Sequence, residues 1–176
     1  MSGQHLVVID MQRVFADADS PWATPGFATV LPTVAGLVKT FGDAVTRTRF
    51  VAPERPTGAW REYYAAWPFA LQPPDAPLWD VVPELGSTGP TVDATTFSKW
   101  GPALAERLGA ATMVHCGVST DCCVLSTAVA AADAGVAVRV VADACAGVSA
   151  ESHRATLEVL ALYGPLVQVV SSADVR

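Results

Sequence analysis

Two adjacent cysteines, Cys122 and Cys123, follow an apolar segment in the run VHCGVSTDCCVLSTAVAAADAG. The pattern predicts a strand that ends at Gly117, a short turn, and a helix whose first turn carries both thiols. Unpaired backbone N–H groups and the positive end of the helix dipole at such a position lower the pKa of a thiol. The same N–H groups can hold the oxyanion that forms when a thiolate attacks a carbonyl. A nucleophilic cysteine is therefore expected here.

Asp10 is the candidate proton partner of this thiol. It closes the apolar run in LVVIDMQRVF, where a carboxylate would face the crevice at the carboxyl ends of parallel strands. Asp10 taken alone is equally typical of a helix or loop cap, and a free cysteine is more often a small buried apolar residue. The position of Cys123 together with an Asp partner favours catalysis.

The elements that must position these residues follow an α/β pattern, because apolar runs of strand length alternate with segments of helical period. Strands are expected at Leu6–Asp10, Ala44–Phe50, Thr91–Asp93, Thr112–Gly117, Val136–Ala142 and Leu166–Val170. Helices are expected at Leu31–Phe41, Pro102–Leu108, Asp121–Ala134 and Ala150–Leu162. Several strands are continuously apolar, which is typical of sheets covered on both faces. We expect residues 1–176 to form one domain with a doubly wound, six-stranded parallel sheet and helices on both faces.

The segment Ala52–Pro90 breaks the alternation and is expected to be a long loop with one short helix near Trp60–Ala66. Loops of this length are usually lids or binding loops, and their aromatic residues can line a pocket for a flat or apolar substrate. The candidate substrate-binding residues are Phe15, Trp60 and Trp67. Alternatively, the tryptophans cover the sheet edge or lie at a subunit contact.

Composition excludes several classes of protein. A formal net charge of -6, with 11 Lys and Arg residues in all, argues against a nucleic-acid partner. The N-terminus lacks a basic leader, and no apolar run reaches the length of a membrane span. The four cysteines suit neither a disulfide scaffold nor a zinc site, so we expect free thiols in the reducing cytoplasm.

Three runs, VVIDMQ, FSKW followed by GPALAERL, and GVSTDCCVLSTAVAAADAG, resemble the signature blocks of the isochorismatase-like cysteine hydrolases. That family includes nicotinamidases and N-carbamoylsarcosine amidohydrolases, and the resemblance covers nearly the whole chain. It implies a catalytic triad of a strand-end Asp, a Lys from the second block and the Cys that precedes Val in the third. Asp10 and Cys123 match two of these positions. A cis peptide bond between Val118 and Ser119 is also implied, with the N–H groups of Ser119 and Cys123 as oxyanion donors.

The second block departs from the family pattern, because members typically read VDKTTFSxF and this chain reads VDATTFSKW. Ala94 thus occupies the lysine position. Lys99 is the sole ammonium near the block, and we expect it to begin the next helix as a solvated surface charge. Three explanations are open, in order of preference: an engineered Lys-to-Ala change, a natural variant with altered chemistry, or a displaced lysine that acts from position 99.

The resemblance implies hydrolysis of an amide or related C–N bond of a small molecule through a thioester at Cys123. Retention of Cys123 points away from the isochorismatases proper, which replace this cysteine. With Ala94 at the lysine position, we expect a slow or inactive chain. The alternatives are a non-catalytic binding protein and a redox protein that uses Cys122 and Cys123.

Metal and cofactor are not expected. Nicotinamidase-like members bind a metal through histidines beyond the second strand, and the corresponding run TRFVAPERPTGAW has none. The three histidines, His5, His115 and His153, are scattered over other elements, and His115 is expected to be a satisfied core residue. We expect a homo-oligomer that acts on a small molecule without a cofactor.

Overall fold

Six parallel strands form one sheet in the computed structural model, which describes residues 3–86 and 91–175. In chain order they are β1 (Gln4–Ile9), β2 (Val45–Phe50), β3 (Thr91–Ala94), β4 (Thr112–Val118), β5 (Val138–Ala146) and β6 (Val167–Val170). Their order across the sheet is β3-β2-β1-β4-β5-β6, and every neighbouring pair is parallel. The doubly wound α/β fold predicted from the sequence is confirmed.

Helices connect these strands. They are α1 (Arg13–Ala16), α2 (Phe27–Phe41), α3 (Trp60–Ala66), α4 (Pro102–Leu108), α5 (Leu125–Asp133) and α6 (Ala150–Ala161). Because crossovers between parallel strands are right-handed, and the strand order reverses between β1 and β4, α2 covers one face and α4, α5 and α6 cover the other. Within the described ranges, no helix is long and apolar enough to cross a bilayer.

The central strands contain long apolar runs because both faces of the sheet are covered. Leu6, Val7, Val8 and Ile9 of β1 are almost completely buried, and so are all residues of β4 after the first. The carboxyl ends of β1 and β4 lie side by side at the point where the strand order reverses. In open parallel sheets this is where ligands bind.

Helix α2 and strand β5 extend furthest beyond their predicted bounds. Helix α2 begins at Phe27 rather than at Leu31, because burial of Phe27 and Val30 continues its apolar stripe, and Pro32 lies on its exposed face. Strand β5 continues to Ala146 rather than ending at Ala142, since the polar Asp143 has partners there. Its Oδ1 and Oδ2 accept hydrogen bonds from the Ser172 amide at 2.7 Å and the Ser172 hydroxyl at 2.6 Å.

The predicted long loop contains the expected short helix as α3, together with three 3-10 turns that each begin with proline, at Pro68–Ala70, Pro77–Trp79 and Pro83–Leu85. Its last residues, 87–90, lie outside the described residues. The sequence analysis did not single out Gln12, which anchors this loop from the buried core. Its amide nitrogen donates to the carbonyls of Phe50 at 2.9 Å and Trp79 at 2.8 Å, and its oxygen accepts from the Phe50 amide at 2.8 Å. Gln12 thus ties the loop to the ends of β1 and β2.

Candidate active site

Asp10 follows β1 directly and is fully buried. Its φ of +48° lies in the left-handed region, which Asp adopts more readily than most residues. The Thr48 hydroxyl, on β2, donates to Asp10 Oδ1 at 2.7 Å and accepts from the Asp10 amide at 3.2 Å. These two bonds fix the carboxylate and leave Oδ2 as the oxygen available for proton transfer.

Lys99 is 2% exposed and points its ammonium into the same crevice. Its Nζ lies 3.0 Å from Asp10 Oδ2 and 4.0 Å from Cys123 Sγ, and it donates to the Thr96 carbonyl at 2.6 Å. A buried ammonium is stable only with such partners. The expectation of a solvated surface charge at Lys99 is therefore wrong.

The loop before α4 holds Lys99 in place. Helix α4 begins at Pro102, so Lys99 does not begin the helix as predicted. Its amide donates to the Thr127 hydroxyl on α5 at 2.8 Å, and its Nζ lies 4.8 Å from the centroid of the Phe50 ring. The ring face of an aromatic residue attracts a cation at such a distance. The backbone and the side chain of Lys99 are thus both fixed.

Ala94 ends β3 and is half-buried. It carries no polar side-chain atom, so position 94 supplies no cation to the crevice. The family pattern places a lysine at position 94. In this chain, the ammonium beside Asp10 and Cys123 belongs instead to Lys99, five residues later. Of the three explanations for the altered block, this arrangement favours the displaced lysine, which the sequence analysis ranked last.

Cys123 lies in a π-helical turn, Thr120–Val124, that precedes α5. The predicted helix Asp121–Ala134 therefore does not begin as a regular α-helix. The amides of Cys122 and Val124 both donate to the Ser119 carbonyl at 3.1 Å. Such single π-helical turns occur frequently at functional sites. Cys123 is 4% exposed whereas Cys122 is half-buried, and all four cysteines are free thiols, as expected.

Burial raises the pKa of the Cys123 thiol well above its usual range. The Asp10 carboxylate acts in the same direction, and the Lys99 ammonium opposes both. The sequence analysis expected a lowered pKa for this thiol, whereas its deep burial acts in the opposite direction. Burial therefore favours the protonated thiol of Cys123 in the resting site.

Ser119 follows the end of β4, and its peptide bond with Val118 is cis, at the position that the resemblance implies. Within residues 3–86 and 91–175, no hydrogen-bond acceptor is placed for the Ser119 amide. The Ser119 hydroxyl donates to Asp121, whose Oδ2 accepts from the Val148 amide at 3.1 Å. These bonds fix the Ser119 segment while its amide stays available to a ligand.

Gly117 allows β1 and β4 to approach closely beneath the site. Its φ of +116° disfavours any residue with a side chain. A Cβ atom there would lie 2.1 Å from the Ile9 carbonyl oxygen, on the residue before Asp10. Glycine at position 117 therefore helps to bring the turn that carries Cys123 beside Asp10.

A cavity of about 360 Å³ opens beside Cys123 and is lined by six aromatic side chains, namely Phe15, Trp22, Phe50, Tyr63, Trp67 and Phe97. Phe15 and Trp67 are two of the predicted substrate-binding residues. The third, Trp60, is not among the lining residues. It packs behind Tyr63 and Phe97, and its ring centroid lies 5.1 Å from that of Tyr63 and 5.3 Å from that of Phe97. The sequence analysis missed Trp22, because it lies in a segment without helical or strand periodicity. Only its aromatic side chain could have indicated a role in the cavity.

The hydrogen bonds of the three histidines go to Thr46, Val124 and Thr120, and not to Asp10, Lys99 or Cys123. His115 is buried, its Nε2 lies 3.0 Å from the Val124 carbonyl, and burial lowers its pKa to about 4. It packs in the core as predicted, although its Nδ1 has no hydrogen-bond partner in the described part of the chain. Across that same part, no group of three His, Cys, Asp or Glu side chains is placed to hold a metal. Metal-independent activity stays a prediction.

Thr48 offers a test of how the carboxylate is held. We expect Thr48→Val to slow acylation of Cys123 by about 10- to 100-fold, since leaving a buried acceptor without its donor costs about 1–3 kcal/mol. Thr48→Ser, which keeps the hydroxyl, should retain most of the rate. Single-turnover acylation measures both variants.

A matched control lies two residues away on the same strand. Thr46 is also buried, but its hydroxyl bonds to His5 Nε2 at 2.9 Å rather than to Asp10. Thr46→Val should lower the free energy of unfolding and leave the acylation rate unchanged. A similar loss of rate in both variants would show that Thr48 acts through general stability alone.

Comparison with known proteins identifies the family of this chain. The isochorismatase domain family model matches residues 4–174. Isochorismatase domain-containing protein 2 of Bos taurus is 39% identical over 72 residues, which is 39% of this chain and 35% of the bovine protein. The same protein of Xenopus laevis is 40% identical over 73 residues, 39% of this chain and 36% of the frog protein. These matches thus span about a third of each curated relative.

Solved structures share the fold over almost the whole chain. An isochorismatase family protein from Desulfovibrio vulgaris has a TM-score of 0.85 and 22% identity, and the alignment covers 98% of this chain and 96% of that one. A cysteine hydrolase from Pseudomonas syringae pv. phaseolicola has a TM-score of 0.82 and 21% identity, with 98% and 90% covered. The pyrazinamidase of Pyrococcus horikoshii, solved with zinc, has a TM-score of 0.77 and 25% identity, with 96% and 98% covered. The chain therefore belongs to the isochorismatase domain family of hydrolases.

Proposed function

We propose that this protein is a cysteine amidohydrolase that cleaves an amide or related C–N bond of a small molecule through a thioester at Cys123. The observation that carries the proposal is the buried convergence of a thiol, a carboxylate and an ammonium. Lys99 Nζ lies 3.0 Å from Asp10 Oδ2 and 4.0 Å from Cys123 Sγ, beside a cavity that Cys123 lines. Three ionisable groups so deeply buried are typical of a catalytic centre.

Acylation begins from the protonated thiol. Asp10 Oδ2, the oxygen that Thr48 does not bind, accepts the thiol proton as Cys123 Sγ bonds to the substrate carbonyl carbon. The carbonyl oxygen becomes an oxyanion, which the amides of Ser119 and Cys123 hold. As the C–N bond breaks, Asp10 returns the proton to the departing nitrogen. The products of this step are a free amine or ammonia and the Cys123 thioester.

Deacylation reverses the roles of the same groups. Asp10 takes a proton from a water molecule, whose oxygen attacks the thioester carbonyl. The C–S bond then breaks, the carboxylic acid leaves, and the proton from Asp10 restores the Cys123 thiol. No step requires a further reactant besides water.

Lys99 balances the charge of this cycle. An Asp10 carboxylate and a Cys123 thiolate a few ångströms apart would repel each other strongly in a crevice with little water. The Lys99 ammonium contacts both groups, so it stabilises the thiolate as it forms. The expectation of a slow or inactive chain rested on Ala94 alone, and we propose instead that Lys99 sustains turnover.

Intact-protein mass spectrometry tests the proposal. On mixing with a panel of primary amides and activated 4-nitrophenyl esters, the protein should gain the mass of one acyl group, and peptide mapping should place that group on Cys123. Esters should also release a burst of 4-nitrophenol equal to the enzyme concentration. An adduct on Cys122, or no adduct and no acid from any compound, would contradict the proposed function.

A further inference from the structure

The cavity beside Cys123 has a wall without charge. Besides its six aromatic side chains, its described lining residues are proline, alanine, valine, threonine, serine and the two cysteines. No Asp, Glu, Lys, Arg or His belongs to that lining. A ligand in this cavity therefore contacts ring faces, ring edges and a few neutral polar atoms.

The lining groups that can ionise stay neutral near pH 7. Burial raises the pKa of Tyr63 to about 12, with the two cysteine thiols acting in the same direction. Burial also raises the pKa of both Cys122 and Cys123. The wall of the resting site therefore remains uncharged over the physiological pH range.

The ammonium that contacts Cys123, that of Lys99, is already paired. The Lys99 side chain is fully buried, lies outside the cavity lining, and contacts the carboxylate of Asp10 at 3.0 Å. An anionic group on a ligand would thus find no free positive charge. It would also face the negative π surfaces of the rings and lose its own hydration. A carboxylate in this cavity is therefore strongly disfavoured.

The aromatic wall is held in place by its own packing. Trp22 stacks on Phe15 with ring centroids 6.2 Å apart and planes 9° apart. It also meets Phe50 and Trp67 edge-on, at 5.7 and 6.2 Å. Rings that contact each other on several sides form a preformed surface for a flat group.

We propose that the acyl part of the substrate is a flat and apolar group without negative charge, and that the cavity rejects acyl groups that carry a carboxylate. The proposal rests on the proposed function for its link between this cavity and acylation. It goes further by naming what the thiol attacks: the amide of an apolar acid rather than of an amino acid or dicarboxylic acid.

Binding to the Cys123→Ala variant tests this proposal without turnover. The two probes share one scaffold: benzamide and 4-carboxybenzamide, each followed by isothermal titration calorimetry. We expect benzamide to bind at least about tenfold more tightly than the carboxylate probe, because burying an unpaired charge is costly. Equal or tighter binding of the carboxylate probe would overturn the proposal.

A matched pair of tryptophan variants locates the binding site. Trp67 lines the cavity, and Trp100, which is also half-buried, does not. In the Cys123→Ala background, Trp67→Ala should weaken benzamide binding by about tenfold and Trp100→Ala should leave it unchanged. Equal effects of both variants would place benzamide elsewhere and overturn the proposal.

The two proposals fail in different ways. Preference for the carboxylate probe, with an acyl adduct still formed on Cys123, overturns the substrate class alone. Preference for benzamide, with no adduct from any amide or ester, supports the ligand class and overturns hydrolysis.

Discussion

Lys99→Met is expected to slow acylation of Cys123 by about 10⁴-fold, which is the usual decrease in rate when one member of a catalytic triad is removed. Methionine keeps much of the length of the side chain but removes the ammonium that contacts Asp10 at 3.0 Å and Cys123 at 4.0 Å. Asp10 then stands as an uncompensated buried carboxylate that opposes formation of the thiolate. Single-turnover acylation on one activated ester measures the loss.

The chain offers a matched control and a rescue. Its only other lysine, Lys39, is exposed on α2, so Lys39→Met should leave the rate unchanged. Ala94→Lys in the Lys99→Met background should restore at least about 100-fold, by returning an ammonium from the end of β3. Ala94→Lys alone should slow the reaction, because two ammonium groups would compete for one carboxylate. An unchanged rate in Lys99→Met would refute the displaced-lysine assignment.

Cys123→Ala is expected to reduce hydrolysis by at least about 10⁴-fold and to abolish the acyl adduct, since the nucleophile itself is removed. Cys122→Ala should change the rate only a few-fold, because its side chain forms part of the cavity wall and not of the contact with Lys99 and Asp10. Steady-state hydrolysis and intact mass measure both variants. Loss of the adduct in Cys122→Ala alone would reverse the assignment of the nucleophile.

The fold could be predicted because the buried central strands contain long apolar runs, so that β1 and β4 can be recognised in the sequence without knowledge of their neighbours. The carboxyl ends of these two strands indicated Asp10 and Cys123 as candidate site residues from the sequence alone. Boundaries were less certain where a polar residue such as Asp143 finds its partner far along the chain, at Ser172. The sequence does not display such long-range pairing.

The position of Lys99 could not be predicted from its local pattern. Beside GPALAERL it resembles a charge on the exposed start of a helix, and only the tertiary contacts with Asp10 and Thr127 bury it. The pKa of Cys123 was misjudged for a similar reason. A local rule about helix ends indicates a lowered pKa, whereas the depth of burial, which only the folded chain reveals, raises it.

The hydrogen bond between the Lys99 amide and the Thr127 hydroxyl means that two different parts of the fold hold the site residues. Thr127 belongs to α5, which continues from the turn that carries Cys123, so the ammonium and the thiol are attached to one helix. Asp10 is attached instead to the sheet through Thr48. A small shear displacement of α5 against the sheet would therefore move Lys99 and Cys123 together. Such a displacement would alter the distance between the thiol and the carboxylate, which is the distance that the proposed proton transfer has to cross.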